Sequence, residues 1–446
     1  MLRFLFIFFQ FLIFLIIASW AINNSKQVSI EFKDITVTTS TSVIIIGLIS
    51  IIALSLILQR FIFFIKQSKQ RFMFYREKSV YQKGHNSFIL GMAALFNRDF
   101  KKAILEAQKT NKYLKDKSLG LLLTSETLKI EKKYNELNDV YEEMLKNPNM
   151  NLLGLRGLME QNLRSQDYHH ALIYGEKLFN LNPNIDQLYK TLVNIIGKTN
   201  NWHKLIFFSD ESFKHKIIDK KTYSENKSIA FFEIAKIKHK SFEDESIDLM
   251  EKALKLRQNF SPYINFYIKL LINNNKLSKA KKILKKEWAN FPHPDLKKQI
   301  TNLSKALNIS YLELVKYITS NNVNNYETQI LFAESYIKKE NWIEARNQIK
   351  SLLEHKPTKE VCLLMAKIEE GESGNPQKIN AWVSRSNLGK LNKIWICQIS
   401  GTQQEQWSPI SLSGYFNSLE WKYPKNSSEL SASSFEINKI NYIDSE

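Results

Sequence analysis

Four aromatic residues, Phe100, Tyr134, Tyr168 and Trp202, stand 34 residues apart three times in succession, and Ala103, Leu137, Ala171 and Leu205 keep the same interval three positions further on. A period of that length is the mark of a stacked array, in which each unit is too small to bury its own apolar face and must pack on its neighbours. The frame is carried by DFKKA from Asp99, KYNEL from Lys133, DYHHA from Asp167, NWHKL from Asn201 and NWIEA from Asn341. An aromatic residue is followed by two variable positions and then by Ala or Leu. The adjacent pair His169-His170 falls in the variable slot, so it reads as outer surface. Neighbouring helix residues point about 100° apart, whereas a structural metal site needs three or four converging ligands.

Thirty-four residues is the length of a tetratricopeptide repeat, a pair of antiparallel helices with small residues where the two touch and often a proline after the second. Pro183 follows Ala171 by twelve residues, and Pro292 and Pro357 follow Ala280 and Ala345 at the same distance. The stretch from Tyr326 to Pro357 places Ala333, Tyr336, Ala345 and Pro357 in the small, aromatic, small and proline slots. Between Asn201 and Lys276 the register drifts: SFEDESIDLMEKALKL is an amphipathic helix about six residues late, which predicts one longer loop. With 13 Gly and 9 Pro in 446 residues, the chain is poor in turn formers, as a helical protein is. The expected fold is all-α.

Residues 4–22 and 43–65 are apolar runs, each long enough as a helix to cross a hydrocarbon layer of about 30 Å. Ser19-Trp20-Ala21 offers a small-x-small pattern of a cleavable signal, but the weak positive start and bulky flanks favour an uncleaved span. Lys66, Lys69, Arg71, Arg76, Lys78 and Lys83 follow the second run against the single acid Glu77. The positive-inside rule therefore keeps residues 66 onward in the cytoplasm and the short loop outside. That loop, residues 23–42, alternates Val28, Ile30 and Phe32 with polar neighbours and resumes with Ile35 and Val37, which predicts a small hairpin. The expected organisation is a membrane anchor at 1–83 with a basic connector at 66–83, helical repeats at 84–390, an aromatic-rich ribbon-like cap at 391–423 and a flexible polar tail at 424–446. Two cysteines, Cys362 and Cys397, exclude a disulfide framework and suit a reducing compartment. The net charge of +19 is spread through every repeat beside Glu and Asp, so it describes a solvated surface and no nucleic-acid partner is expected.

Two apolar runs joined by V-S-I-E-F…I-T-V-T-T-S, a basic connector and repeats of this period together resemble the HemY family, bacterial inner-membrane proteins associated with a late step of protohaem synthesis. The segment from Asn341 to Ser386 is similar to that family's W-x-x-A-R…P…L-M-A-x-I-E…A-W pattern. The resemblance covers about residues 1 to 390. It implies a protein of the bacterial inner membrane with partners among the haem-pathway enzymes. No G-x-G-x-x-G follows a strand, so the chain is unlike the flavin-dependent oxidase that shares the name.

The segment from Trp395 to Trp421 has the outline of a two-knuckle zinc ribbon, but only Cys397 is a cysteine, and Ser400, Ser411 and Ser413 stand where thiolates would be needed. It is expected to be a metal-free cap on the apolar end of the array. No G-x-S-x-G, H-E-x-x-H, phosphate-binding glycine loop or C-x-x-C-H is present, so no catalytic residue, metal or cofactor is expected. Haem or porphyrin binding has no motif behind it, although His85, His239 and His355 remain open as ligands. The functional surface is then the concave face of the repeats. Counting back nineteen residues from Leu137, Ala171 and Leu205 starts repeats at Ser118, Leu152 and Asp186, and puts Glu126, Lys129, Arg156, Glu160, Gln187, Lys190 and Asn194 in the groove. These would clamp a peptide or carboxylate by charge-assisted bonds. The reading is a membrane-tethered scaffold for protein partners, set against a general envelope-assembly or quality-control adaptor and against a porphyrin-acting enzyme.

Overall fold

The computed structural model describes residues 9, 12–13, 15–17, 19–20, 22–24, 26–32, 35–354 and 357–424. Most of the first apolar run at 4–22, and the tail beyond Pro424, lie outside them. The chain forms two compact units, Met1–Val140 and Tyr141–Glu446.

In the first unit, strands β1 (Gln27–Phe32) and β2 (Ile35–Ser40) pair antiparallel, with Gln27 opposite Ser40 and Phe32 opposite Ile35. Helix α1 (Thr41–Phe96) starts at the next residue and runs for 56 residues, about 84 Å at the usual rise. Thr41 ties the junction, its hydroxyl accepting from the Lys26 N–H at 3.0 Å and its own N–H donating to the Lys26 carbonyl at 2.9 Å. The segment 66–83, read from the sequence as a connector, is an unbroken part of α1. It contains no proline or glycine that would stop a helix. Among the described residues one stretch is long and apolar enough to cross a membrane, Thr41–Ile65, and it is almost entirely exposed. The far end of α1 turns at 97–99 into α2 (Phe100–Tyr113), and Ala94 and Leu95 pack with Ala103, Ala107 and Leu123. The membrane-length helix is thus also the first helix of the first pair. Helix α3 (Ser118–Glu131) follows, and α4 (Tyr134–Leu145) crosses into the second unit.

The second unit continues with paired helices: α5 (Asn151–Arg164) with α6 (Tyr168–Leu181), α7 (Leu188–Thr199) with α8 (Trp202–Lys214), and α9 (Lys220–Lys238) with α10 (Glu243–Leu256). Then come α11 (Ser261–Asn273) with α12 (Leu277–Asn290), α13 (Lys297–Leu307) with α14 (Tyr311–Thr319), α15 (Tyr326–Ile337) with α16 (Trp342–Ile349), and α17 (Lys359–Glu372) with α18 (Pro376–Asn387). The repeat starts read at Ser118, Leu152 and Asp186 fall within two residues of α3, α5 and α7. Ala103, Leu137, Ala171, Leu205, Ala280 and Ala345 are all fully buried. The acid or amide before the aromatic is a helix cap: Asp99, Asp167 and Asn341 accept the N–H of Lys102, His170 and Glu344. The drift after Asn201 has a different cause from the loop predicted. The connection at 215–219 is ordinary, and the extra length lies in α9, which has 19 residues against 12 in α7.

The 34-residue period is also written in the backbone. Arg98, Lys132, Gln166 and Asn200 all adopt positive φ, at 59°, 61°, 63° and 55°, in the turn that reverses the chain between the helices of a pair. A side chain there carries a steric cost that glycine avoids. Gln166→Gly should therefore raise stability by about 0.5–1 kcal/mol in urea unfolding. Ala171→Asp, which buries an unpaired carboxylate in the contact between α5 and α6, should lower it by several kcal/mol.

The ribbon is a three-stranded antiparallel sheet, with β3 (Ile394–Cys397) between β4 (Gln403–Gln404) and β5 (Leu419–Lys422). The chain is mostly helical, as expected, with these two small sheets added to it.

Candidate functional site

The ribbon does not close the end of the array. The last pair keeps Leu363, Val383 and Leu388 exposed, and the chain turns back so that the ribbon lies on the first helices of earlier pairs. Its indoles need aromatic partners, and those helices supply them. The Trp407 ring stands 5.1 Å from Phe260 and 5.8 Å from Phe232, and Trp395 stands 5.9 Å from Phe260. Trp421 lies 4.5 Å from the ring of His293, in the connection before α13. Trp395, Cys397 and Leu419 belong to the same buried cluster as α5 to α15. A Cβ on Gly197 of α7 would collide with Cδ1 of Ile410 and lie 3.3 Å from the Phe416 ring, so glycine is what lets the ribbon approach.

Polar contacts set the register. The Phe416 N–H donates to Asn194 Oδ1 at 3.0 Å, Asn417 Nδ2 donates to Glu225 Oε2 at 3.0 Å, and Arg257 Nη1 donates to Asn417 Oδ1 at 3.2 Å. Arg257 also stacks 3.8 Å over the Phe260 ring. Between α7, α9 and the ribbon remains a cavity of about 320 Å³, bordered by Tyr189, Lys190, Val193, Glu225, Ile399 and Tyr415.

The residues read from the sequence as groove-lining meet different fates. Asn194 holds the ribbon, and Lys190 is exposed at the cavity. Gln187 caps α7 in a left-handed conformation, exposed. Arg156 donates through Nε to Glu160 Oε1 at 3.0 Å, one turn along α5, so the pair is satisfied within its own helix. Glu126 is half-buried and Lys129 exposed on α3, in the first unit. Glu225 and Phe232 lie on α9, beyond the repeats over which the groove was counted, and Arg257, Phe260, Tyr263 and His293 were missed because the longer α9 shifts every slot after it. The signal that could have found them is the matching excess of aromatics in α9, α11 and the ribbon.

The histidines behave as surface or packing groups. His170 Nδ1 lies 2.7 Å from the capping carboxylate of Asp167, His85 pairs with Tyr81 at 2.9 Å and His239 with the Lys236 carbonyl at 2.6 Å; His355 lies outside the described residues. Among the described residues no group of three or more His, Cys, Asp or Glu is arranged to hold a metal. Ser400, Ser411 and Ser413 do gather beside Cys397, joined by Ser418, whose hydroxyl is 3.2 Å from the sulfur. Burial works against ionising this thiol, but the hydroxyls of Ser400, Ser413 and Ser418 outweigh it and bring its pKa down to about 5. One thiol among hydroxyls is a poor zinc donor set.

His293 is almost fully buried, and its Nδ1 accepts the Asp295 N–H at 3.2 Å, so the neutral ring carries its proton on Nε2, which has no partner. Burial pushes its pKa down to about 4, with the nearby Lys393 adding to the shift. The unfolded chain takes up a proton on this ring below about 6.5, whereas the folded chain does so only near 4. Its contribution to stability is therefore complete above pH 6.5 and is lost as pH falls toward 4, by up to about 1.4 kcal/mol per unit. Chemical unfolding at pH 7 and pH 5 should show this loss, and His293→Asn, which keeps an acceptor for the Asp295 N–H, should reduce the difference.

The fold and this interface define a helical-repeat protein whose first repeat grows out of a membrane-length helix. Residues 27–131 match the family model described as the HemY protein N-terminus, and they run from the first residue of β1 to the last of α3. That match supports the HemY resemblance drawn from the sequence. No curated protein matches the chain. Among solved structures, a tetratricopeptide repeat protein from Parabacteroides merdae is 14% identical over 55% of this chain and 98% of its own, with a TM-score of 0.26. The TPR2AB domain of yeast Sti1, solved in a pHSP90 complex, is 10% identical over 68% of this chain and 98% of its own, at 0.29. YrrB, a TPR protein with an unusual peptide-binding site, is 14% identical over 46% and 96%, at 0.23. At these scores the repeat assignment rests on the helix pairing itself.

Proposed function

We propose that the protein is a membrane-tethered scaffold that gathers protein partners at the membrane surface, and that, as in the family it resembles, those partners act in late protohaem synthesis. The observation that carries this is the single helix α1, which is at once the apolar span Thr41–Ile65 and the first helix of the repeats. A span in the same chain tethers the repeats to the bilayer, which raises the effective concentration of their binding surfaces for other membrane proteins. A second span at residues 4–22, the bacterial inner membrane and a cytoplasmic position for the repeats complete the reading, on the charge excess after Ile65. Client contacts are assigned, within the second unit, to the first-helix face with Lys190 and Asn194 and, separately within the first unit, to Glu126 and Lys129 of α3. The protein is read as non-enzymatic.

Affinity capture of the full chain from gently solubilised membranes should bring haem-pathway enzymes with it, more than tenfold above a chain carrying the span alone. Capture of none would remove the haem role, and tetrapyrrole turnover by the purified protein would overturn the non-enzymatic reading. For topology, a reporter active only in the cytoplasm should give signal when fused after Leu90 and none when inserted after Asp34. The reverse pattern would refute the two-span arrangement.

A further inference from the structure

The ribbon lies where repeats of this kind would receive a client. We propose that residues 391–423 are an internal ligand that closes the face of α7, α9 and α11, and that a client enters by displacing them. The displacing partner is a protein segment of like chemistry: aromatic side chains, indole above all, beside a backbone N–H free to reach Asn194. This rests on the scaffold reading above.

Several observations separate a releasable plug from a permanent strut. The seam is incompletely satisfied, because His293 Nε2, Trp395 Nε1 and Trp407 Nε1 are buried without a partner. Buried polar atoms are nearly always paired, so three orphans at one seam mark an interface not optimised for permanence. The cavity beside Lys190 breaks the packing at its rim and gives a competing segment a first foothold. No disulfide staples the ribbon, since both described cysteines are free; its strands are four, two and four residues long, and small hydroxyl contacts around Cys397 help to join them. Strands this short gain most of their burial from the helices they lie on, so the repeats, more than the sheet itself, hold the ribbon in place. The chain leading into it is exposed at Leu388 and Leu391 and can serve as a leash. The groove pockets meanwhile define the ligand: rings of Phe232, Phe260 and Tyr263 around an indole, an amide oxygen at Asn194 for a backbone N–H, and Glu225 with Arg257 for a side-chain amide.

Hydrogen exchange on the full chain in detergent micelles tests release without any client. Amides of β3 and β5 should exchange about 100-fold faster than those in the middle of α11, through an opening that leaves the repeats folded. Gly197→Leu replaces glycine by a better helix former while pushing on Ile410. Asn417→Gly removes two seam hydrogen bonds at a position whose φ of 44° suits glycine. Each should raise ribbon exchange about tenfold further and leave α11 unchanged. Ribbon and α11 exchanging together in all three proteins would make the ribbon a fixed strut and overturn the proposal. A labelled peptide of residues 405–423, added in trans, should bind Asn417→Gly about tenfold more tightly than the unaltered chain, because the open fraction is larger. Equal affinity, or no binding to either, would overturn the competition. Neither readout involves a haem-pathway protein, so failure of the capture experiment and failure of this proposal are distinguishable.

Discussion

The contact between the two helices of each pair governs the rest of the structure. Ala103, Ala171, Ala280 and Ala345 sit there fully buried, and Leu137 and Leu205 fill the same slot, also fully buried. A helix pair of this size has too little interior to stand alone, so it presents its remaining apolar surface to the next pair and the array grows by stacking. The other recurring features serve that contact. The capping acid or amide fixes where the second helix starts, and the left-handed residue just before it turns the chain sharply enough for the helices to meet.

Because stacking needs a first member, the start of the array is also the point where the membrane helix is used. Helix α1 contributes Ala94 and Leu95 to the first pair only at its far end, while Thr41–Ile65 carries the apolar span. The length between them keeps Phe72, Met73, Phe74 and Tyr75 exposed and, among the described contacts, meets the following helices only from Glu77 onward, where Lys115 lies 3.0 Å from the carboxylate and Phe88 and Met92 pack on the first cluster. Its helix persists because no residue in it breaks the hydrogen-bond ladder.

Further along, polar groups tie neighbouring pairs together. Lys297 of α13 lies 3.1 Å from Glu334 of α15 and 3.2 Å from Glu360 of α17, joining three successive first helices through one ammonium. Burial pushes Glu327, beside this group, up to about 7, so the cluster carries fewer negative charges at neutral pH than its carboxylates suggest. The ribbon makes a different kind of link. It reaches from α7 to the start of α17, where Lys390 accepts the Lys359 N–H and donates to the Pro357 carbonyl, and it spans the pairs between by aromatic packing.

The sequence by itself determined the repeat, because a 34-residue spacing of small and aromatic side chains is a local pattern that only paired helices satisfy. It also placed the hairpin, the apolar span and the helix starts from α3 to α8, since alternation, hydropathy and capping residues act over a few positions. What it could not place was anything set by contacts between distant segments. The ribbon's outline was legible in Trp395, Trp407 and Trp421, but its seat was not: the surface it covers is assembled from Asn194, Glu225, Phe232, Arg257, Phe260 and His293, on different repeats. The extra length of α9 hid that assembly further, because it breaks the interval by which groove positions are counted. The four residues at positive φ, none of them glycine, escaped notice because three of them, Arg98, Lys132 and Gln166, are of types that carry no signal for a left-handed turn. Their strain is accepted because packing on both sides fixes the turn, and that packing exists only once the helices have met.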